Sequence, residues 1–106
     1  MSSFGAAIAS ARKVKGMSQK ELAAKITKED GQPITPQYLN DIEHDRRRPS
    51  SDRIIREFVR VLDIKQAGVL YGLSGVLSEH DQKLVRRATP EKVDAAFVAF
   101  RRTLKE

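Results

Sequence analysis

The stretch of sequence that decides the fold is Ile34 to Ser50, ITPQYLNDIEHDRRRPS. Thr35 can cap a helix with its side-chain oxygen, and Pro36 behind it has the backbone angle of a first helical turn. Leu39 and Ile42 are three residues apart, so they share the inner face of this helix. The stretch therefore predicts a short amphipathic helix, which starts at Thr35 and is followed at once by three arginines.

The outer face of this helix carries polar side chains that suit the edges of DNA bases. They are Gln37, Tyr38, Asn40 and Asp41. An amide donates and accepts together, as the major-groove edge of adenine requires, and a carboxylate can accept a hydrogen bond from cytosine N4. Phosphates repel a carboxylate, so the place of Asp41 in such an interface requires an explanation. The pattern predicts a helix that docks on DNA.

Residues 17–24, MSQKELAA, predict a second short helix just upstream. Ser18 and Glu21 have the spacing of a capping box, and the buried stripe begins at Leu22. The amide of Gln19, with the free backbone amides of the first turn, suits a phosphate group. In the alternative interpretation, Gln19 only bonds to its own backbone. Two short helices in series predict a helix-turn-helix.

Two segments, ASARKVKGMSQKELAAKI and ITPQYLNDIEHDRRRPS, resemble the Xre and Cro type of phage-repressor helix-turn-helix regulators. The resemblance extends from Phe4 to Ile64 and implies a lambda-repressor-like domain that binds double-stranded DNA. The implied base contacts are Pro36, Gln37, Tyr38 and Asp41. The implied phosphate contacts are Gln19, Asn40, Arg46, Arg47 and Arg48.

The resemblance also implies a structural ion pair between Arg12, late in the first helix, and Glu43, at the end of the third. Loss of one member would leave an unpaired charge in a partly buried place. The sequence departs from the family at residues 27–33, TKEDGQP, where a single glycine is usual, and at Asp45, where glycine is common. The longer turn costs little closure entropy, but it could touch DNA or a partner. Asp tolerates the left-handed conformation better than most residues, so a helix can still end at Asp45.

Composition and charge are compatible with one small DNA-binding domain. The chain has 106 residues, of which 40% are apolar, and 20 Lys and Arg against 14 Asp and Glu give a net charge of +6. An excess of positive charge favours polyanionic partners. The local excess lies in residues 46–48 and is followed by Arg53, Arg56 and Arg60 on the next helix. In the alternative interpretation, residues 46–48 form a solvated loop that only keeps the protein soluble.

Several classes of function lose support from what the sequence lacks. No cysteine is present, which excludes disulfides and thiolate metal ligands. No apolar run is long enough to span a membrane and no signal pattern starts the chain, so we expect a cytoplasmic protein. His44 and His80 have no neighbouring ligands, so we expect surface histidines, no metal and no cofactor. No nucleophile with a base and no glycine-rich phosphate loop is recognisable, so we do not expect an enzyme.

Apolar spacing predicts three more helices that complete a five-helix domain over residues 1–75. The first helix runs from Ser3 to Lys15. Its predicted buried residues are Phe4, Ile8, Ala11 and Val14. The fourth helix follows Pro49, with Ser51 or Asp52 as its cap. Its predicted buried residues are Ile55, Phe58, Val59 and Leu62. The fifth helix is predicted from Lys65 to Leu73.

Residues 76–106 predict two additional helices, which begin after Ser78 and after Thr89. The last helix carries an apolar stripe about four turns long. The stripe consists of Val93, Ala96, Phe97, Phe100 and Leu104. It could pack on the domain itself or meet its copy across a twofold axis. Helix-turn-helix proteins commonly use two copies to span adjacent half-sites, so we predict a dimer interface. The arginines of these helices, Arg101 and Arg102 among them, are expected to form a solvated face.

These features predict an all-α, sequence-specific DNA-binding regulator that binds an inverted repeat as a homodimer and represses by occluding a promoter. The direction of regulation is implied by the resemblance alone. The alternative is a protein-interaction module, such as an antitoxin or antiactivator. Such a module would hold a protein partner with its carboxy-terminal helices and bind DNA secondarily.

Overall fold

The computed structural model describes residues 3–49 and 51–106, and within these ranges it contains seven α-helices and no β-strand. The helices are α1 (Phe4–Val14), α2 (Gln19–Lys25), α3 (Pro36–Glu43), α4 (Asp52–Val61), α5 (Ala67–Ser74), α6 (Glu79–Arg87) and α7 (Pro90–Lys105). The prediction of an all-α fold, with two helices beyond a five-helix domain, is confirmed. The helix α1 is one residue shorter at each end than predicted.

The chain divides into two compact units, residues 1–76 and 77–106. The first unit contains α1 to α5 and the second contains α6 and α7. The sequence placed this boundary after residue 75. No helix in the described ranges is both long and apolar enough to cross a membrane.

Side-chain oxygens cap the starts of five helices, each by accepting from a backbone amide three residues further on. The capping residues are Ser3, Ser18, Thr35, Ser78 and Thr89. The helix α2 has the complete capping box, in which the Glu21 side chain also accepts from the Ser18 amide. The start of α4 differs, because Ser51 occupies the cap position without a side-chain cap bond.

The core of the first unit is formed by apolar residues from its five helices and from the α2–α3 connection. Its buried members are Phe4, Ile8, Leu22, Ala23, Ile26, Ile34, Leu39, Ile42, Ile54, Ile55, Phe58, Leu62 and Leu70. Burial of one large aliphatic or aromatic side chain contributes about 1.5–3 kcal/mol. Ile54 is also fully buried, although the apolar spacing did not predict it. The prediction for Val14 is wrong, since Val14 is 84% exposed. At 100° per residue Val14 lies about 80° from Phe4 around the helix, away from the buried face.

The connection between α2 and α3 is an ordered hairpin and not an open loop. Thr27 and Pro33 form an antiparallel bridge, and the Lys28 amide donates to the Gln32 carbonyl at 2.8 Å. The Ile34 amide donates to the Ile26 carbonyl at 2.9 Å, which closes the base of the hairpin. Because its ends meet there, the additional residues extend outward without separating α2 from α3.

The second unit consists of α6 and α7 alone, and neither helix contains a buried residue. Among the described residues, seven of the eight large hydrophobic side chains that are exposed belong to this unit. These seven are Leu77, Leu84, Val85, Phe97, Val98, Phe100 and Leu104. The unit therefore has no closed apolar core within a single chain.

Candidate nucleic-acid interface

The helix α3 presents one apolar and one polar face, as its sequence predicts. Leu39 and Ile42 are fully buried on the inner face. On the outer face Pro36 and Gln37 are exposed, whereas Tyr38 is half-buried and packs against the core. Gln37 is thus the more exposed of the two long polar side chains in the first turn of this helix.

An ion pair between Arg12 and Glu43 joins α1 to the end of α3. The Arg12 Nε and Nη2 atoms donate to the two carboxylate oxygens at 2.7 and 3.0 Å, and the Arg12 Nη1 atom donates to the Met17 carbonyl. The two side chains are only 11% and 3% exposed. Burial by itself raises the pKa of Glu43, but the bonds from Arg12 and Gln19 outweigh it, so the carboxyl pKa lies below its ordinary value. The pair stays charged and holds the helices together.

Gln19 lies at the start of α2 with its amide oriented by two neighbours. Its Nε2 atom donates to Glu43 Oε1 at 2.9 Å, and its Oε1 atom accepts from Asn40 Nδ2 at 3.3 Å. Since an amide nitrogen has two hydrogens, one donor of Gln19 is left for a phosphate. The sequence analysis considered a bond to the backbone of Gln19 itself and missed its bond to Glu43, which is 24 positions away.

Asp41, whose negative charge required an explanation, is paired inside the same surface. Its Oδ1 atom accepts from Arg46 Nε at 3.1 Å and from Gln37 Nε2 at 3.0 Å. The Arg46 Nη2 atom also donates to Asn40 Oδ1 at 2.6 Å. The pairing with Arg46 offsets the repulsion that Asp41 would exert on a phosphate. A continuous hydrogen-bonded chain therefore runs from Gln37 on the outer face of α3 to the Arg12 ion pair.

The remaining arginines of the 46–48 loop are exposed, but they differ in their surroundings. The guanidinium of Arg47 lies over the ring of Tyr38 at 5.0 Å from its centroid, in a cation–π contact. One face of the Tyr38 ring is thus covered by the guanidinium of Arg47. Arg48 follows without such a stacking partner.

Asp45 connects the arginine loop to the first helix. It has a left-handed backbone, with φ of 58°, which accounts for the end of α3 at the position where the family often has glycine. Its carboxylate accepts from the Gly5 amide at 3.0 Å and from the Ser3 hydroxyl at 2.5 Å. Asp45 therefore holds the loop against the start of α1, a role that its local sequence gave no reason to expect.

Each arginine of α4 bonds to a neighbouring side chain or backbone group. Arg53 donates to the carbonyl and hydroxyl oxygens of Thr27 at 3.1 and 2.8 Å. Arg56 pairs with Asp52 at 3.0 Å, and Arg60 pairs with Glu57 at 3.1 Å. Arg46, Arg47 and Arg48 remain the exposed arginines that directly follow α3.

The two histidines lie on the surface. His44 Nδ1 is 2.9 Å from the carbonyl oxygen of Asn40, at the end of α3. Within residues 3–49 and 51–106, no three His, Asp or Glu side chains are grouped so that they could hold a metal ion.

Residues 8–56 match a protein-family model described as helix-turn-helix. This range contains α2, α3 and their connection, together with most of α1 and the first half of α4. Residues 8–56 therefore form a helix-turn-helix domain, and the prediction of an Xre and Cro type domain is confirmed.

Two similar proteins add to this assignment. Over 71 residues, or 67% of the chain, the sequence is 41% identical to a protein of Yarrowia lipolytica with the provisional name multi-protein-binding factor 1. The match spans 42% of the length of that relative. A chain from a solved complex of the SinR and SinI proteins superposes with a TM-score of 0.50 and 27% identity, covering 96% of this chain and 97% of that one.

Proposed function

We propose that this protein is a sequence-specific transcription regulator that binds an inverted-repeat operator in double-stranded DNA as a homodimer and represses by occluding a promoter. One observation carries the proposal. Five of the side chains predicted for DNA contact form one hydrogen-bonded network at the surface, and Arg47 and Arg48 beside it are exposed. The five are Gln19, Gln37, Asn40, Asp41 and Arg46. We further propose a cytoplasmic location and no catalytic activity or cofactor.

Within this surface, we assign sequence reading to α3 and positioning to its surroundings. Gln37 retains its carbonyl oxygen and one amide hydrogen, the pair that matches the major-groove edge of adenine. Pro36, Tyr38 and Asp41 lie beside it and complete the base contacts. Phosphate contacts determine register and carry no sequence information of their own. We assign these contacts to Gln19, Asn40, Arg46, Arg47 and Arg48.

The test of this function is selection of bound sequences from a random duplex DNA pool at near-physiological salt. An enriched inverted repeat, with half-site centres about 34–36 Å apart along the helix, is the expected result for a twofold dimer. Enrichment of a single half-site would contradict the dimer, and no enrichment over the input pool would contradict sequence-specific recognition.

The homodimer is supported by the open apolar surface of the second unit. On α7, Phe97, Phe100 and Leu104 are 40%, 55% and 68% exposed, although apolar side chains of this size are mostly buried in folded proteins. A stripe of this length on a soluble protein marks an interaction surface. The second unit by itself does not bury these residues.

The second candidate is a protein-interaction module, favoured by the same stripe and by the two similar proteins. One of these is named for binding several proteins, and the other was solved in a complex with a protein partner. Replacement Phe97→Glu separates the candidates. A folded monomer that has lost affinity for the two-half-site operator supports the homodimer. A persisting dimer that no longer retains a co-purifying protein supports the interaction module.

A further inference from the structure

We propose that α7 pairs with α7 of a second copy in antiparallel orientation, and that Asp94 of each copy faces Arg101 of the other. This inference deepens the homodimer of the proposed function and rests on it. It specifies the orientation and the register of the interface, which the presence of an apolar stripe does not.

The spacing of the apolar residues on α7 is that of a coiled-coil seam. Val93, Phe97, Phe100 and Leu104 follow one another at intervals of four, three and four residues. When two copies run antiparallel about an axis midway between Phe97 and Phe100, Phe97 of each meets Phe100 of the other. Val93 then meets Leu104. In this register every apolar residue of the seam faces an apolar residue of the other copy.

The centre of this seam is already arranged for such a contact. In the single chain the rings of Phe97 and Phe100 lie edge to face with centroids 6.4 Å apart. They line an open groove of about 320 Å³ together with Leu84 and Val85 of α6 and with Ala88, which follows that helix. The α7 helix of a second copy would fill the groove and cover the exposed part of Leu84, which is 53% exposed.

Charges beside the seam select the antiparallel arrangement. Asp94 follows Val93 and Arg101 follows Phe100, so both lie on the same flank of the stripe, seven residues apart. A twofold axis perpendicular to the helices brings this flank of one α7 against the same flank of the other. Asp94 of each copy then faces Arg101 of its partner, so each dimer contains two such pairs. In a parallel pair, the flank with Asp94 and Arg101 would instead face the opposite flank of the second helix. That flank carries the uncharged Ala96 and Thr103.

Both charged side chains are available for this contact in the single chain. Asp94 and Arg101 are exposed. The ion pairs of the described residues on α6 and α7 comprise Lys83 with Glu79 and include neither of them. Pairing in the dimer therefore requires no bond within the chain to be broken.

Charge reversal at these two positions tests the register in the full-length protein. Asp94→Arg places two arginines opposite each other, and Arg101→Asp places two aspartates opposite each other. We expect each single variant to dimerise about tenfold more weakly than the wild type by sedimentation equilibrium, since two attractive pairs become repulsive. The double variant Asp94→Arg/Arg101→Asp restores both pairs and should dimerise like the wild type.

Mixing the two single variants is the sharper measurement. In a dimer of one Asp94→Arg chain with one Arg101→Asp chain, both facing pairs are of opposite charge, so the mixture should form heterodimers of wild-type affinity. Glu91→Arg and Arg102→Glu are the matched controls. These two positions lie opposite the stripe, and we expect both control variants to dimerise like the wild type.

The register is wrong if the wild type is a monomer, if either single variant dimerises as tightly as the wild type, or if mixing yields no heterodimer. Selection of DNA sequences tests the proposed function separately. The expected charge dependence without any enriched sequence would contradict DNA recognition and leave the pairing intact. An enriched inverted repeat without the expected charge dependence of dimerisation would contradict the α7 pairing and leave DNA recognition intact.

Discussion

Glu43 is the residue on which the first three helices of the domain converge. It lies at the end of α3 and accepts hydrogen bonds from Arg12 of α1 and Gln19 of α2. Through Gln19 the same network reaches Asn40 and the Arg46 guanidinium. The side chains proposed to contact DNA are therefore oriented by a nearly buried carboxylate that we do not expect to touch DNA itself.

Replacement of Glu43 by Ala should destabilise the domain strongly. It leaves the Arg12 guanidinium with little exposure and no carboxylate, for which we expect a loss of about 3 kcal/mol. Urea unfolding at pH 7 measures this loss. The double variant Arg12→Met/Glu43→Leu should recover most of it, because no unpaired charge remains. If the double variant lost as much stability as the single one, packing rather than charge pairing would be the cause.

Gln37 and Arg47 should affect DNA binding in different ways. Gln37→Ala removes a base-reading amide, so we expect a loss of about 1–3 kcal/mol on the operator and little change on random DNA. Arg47→Ala removes one phosphate contact, so it should weaken binding to every sequence alike. It should also reduce the slope of log affinity against log salt by about 0.9. Binding isotherms on both DNAs at several salt concentrations measure these effects.

The comparison of specific with random DNA decides whether the two roles are separate. The prediction requires Gln37→Ala to lower the ratio of the two affinities and Arg47→Ala to leave it unchanged. Equal losses on both DNAs in both variants would mean that α3 and the arginine loop do not divide their roles in this way.

Besides the apolar core, specific polar contacts attach elements of this domain to one another, and the α2–α3 hairpin is one case. Glu57 of α4 accepts from the Thr27 amide and hydroxyl at 3.0 and 2.8 Å. Arg53, one turn earlier on α4, donates to the carbonyl and hydroxyl oxygens of Thr27. Although burial acts to raise it, the bonds from Arg60 and Thr27 lower the pKa of Glu57 to about 2. The base of the hairpin is thereby attached to α4.

This attachment should make part of the stability depend on acid. The pKa of Glu57 is about 2 in the folded chain against an ordinary 4.5, so its carboxylate stabilises the fold fully above pH 5. The contribution, about 3 kcal/mol, should be lost as the pH falls from about 5 to 2. The difference in unfolding free energy between the wild type and Glu57→Gln should shrink over that range. A difference that is independent of pH would contradict this account.

The crossing of α1 and α3 depends on the absence of a side chain at Gly5. A Cβ atom there would lie 2.2 Å from the Ile42 carbonyl oxygen and 2.7 Å from that of Glu43. Gly5→Ala should therefore separate the helices and cost at least about 1–3 kcal/mol in urea unfolding. Gly72→Ala on α5 is the matched control, because nothing lies within 4 Å of its Cβ position. We expect the control to be stabilised by about 0.5–1 kcal/mol.

The whole molecule combines a domain with a closed core and a helical pair without one. The first unit buries its apolar residues within the single chain, whereas α6 and α7 contain no buried residue. This contrast is the physical basis for placing recognition in the first unit and assembly in the second. The affinity for a two-half-site operator should then depend on both units.

Phe97→Glu tests this dependence in the full-length protein. A carboxylate in the seam opposes dimer formation, so the affinity for the complete operator should fall at least about tenfold, while the affinity for an isolated half-site should not change. Phe97→Leu keeps the position apolar and serves as the control. Equal losses on both DNAs would indicate a damaged recognition domain and contradict the division between the units.

Most of the fold could be predicted, because its determinants are close together in the chain. The caps at Ser18, Thr35, Ser78 and Thr89 act over three residues, and the apolar spacing of α3 needs only its own sequence. The candidate DNA contacts came from such local patterns together with a family resemblance. The bonding partners of those residues could be predicted only in part. Only the Arg12–Glu43 pair was implied by the family resemblance.

The sequence by itself determined where the side-chain-capped helices begin, which helix faces are apolar, and which motif they build. The fifth helix, predicted from Lys65, begins at Ala67, where no side chain caps it. Only the tertiary structure decided which groups the polar side chains bond to. Asp45 accepts from Gly5 across 40 positions and Glu57 accepts from Thr27 across 30. Arg53 consequently supports the base of the α2–α3 hairpin. The physical reason is range: capping and periodicity act within a few residues, whereas these bonds form only after packing has brought distant segments together.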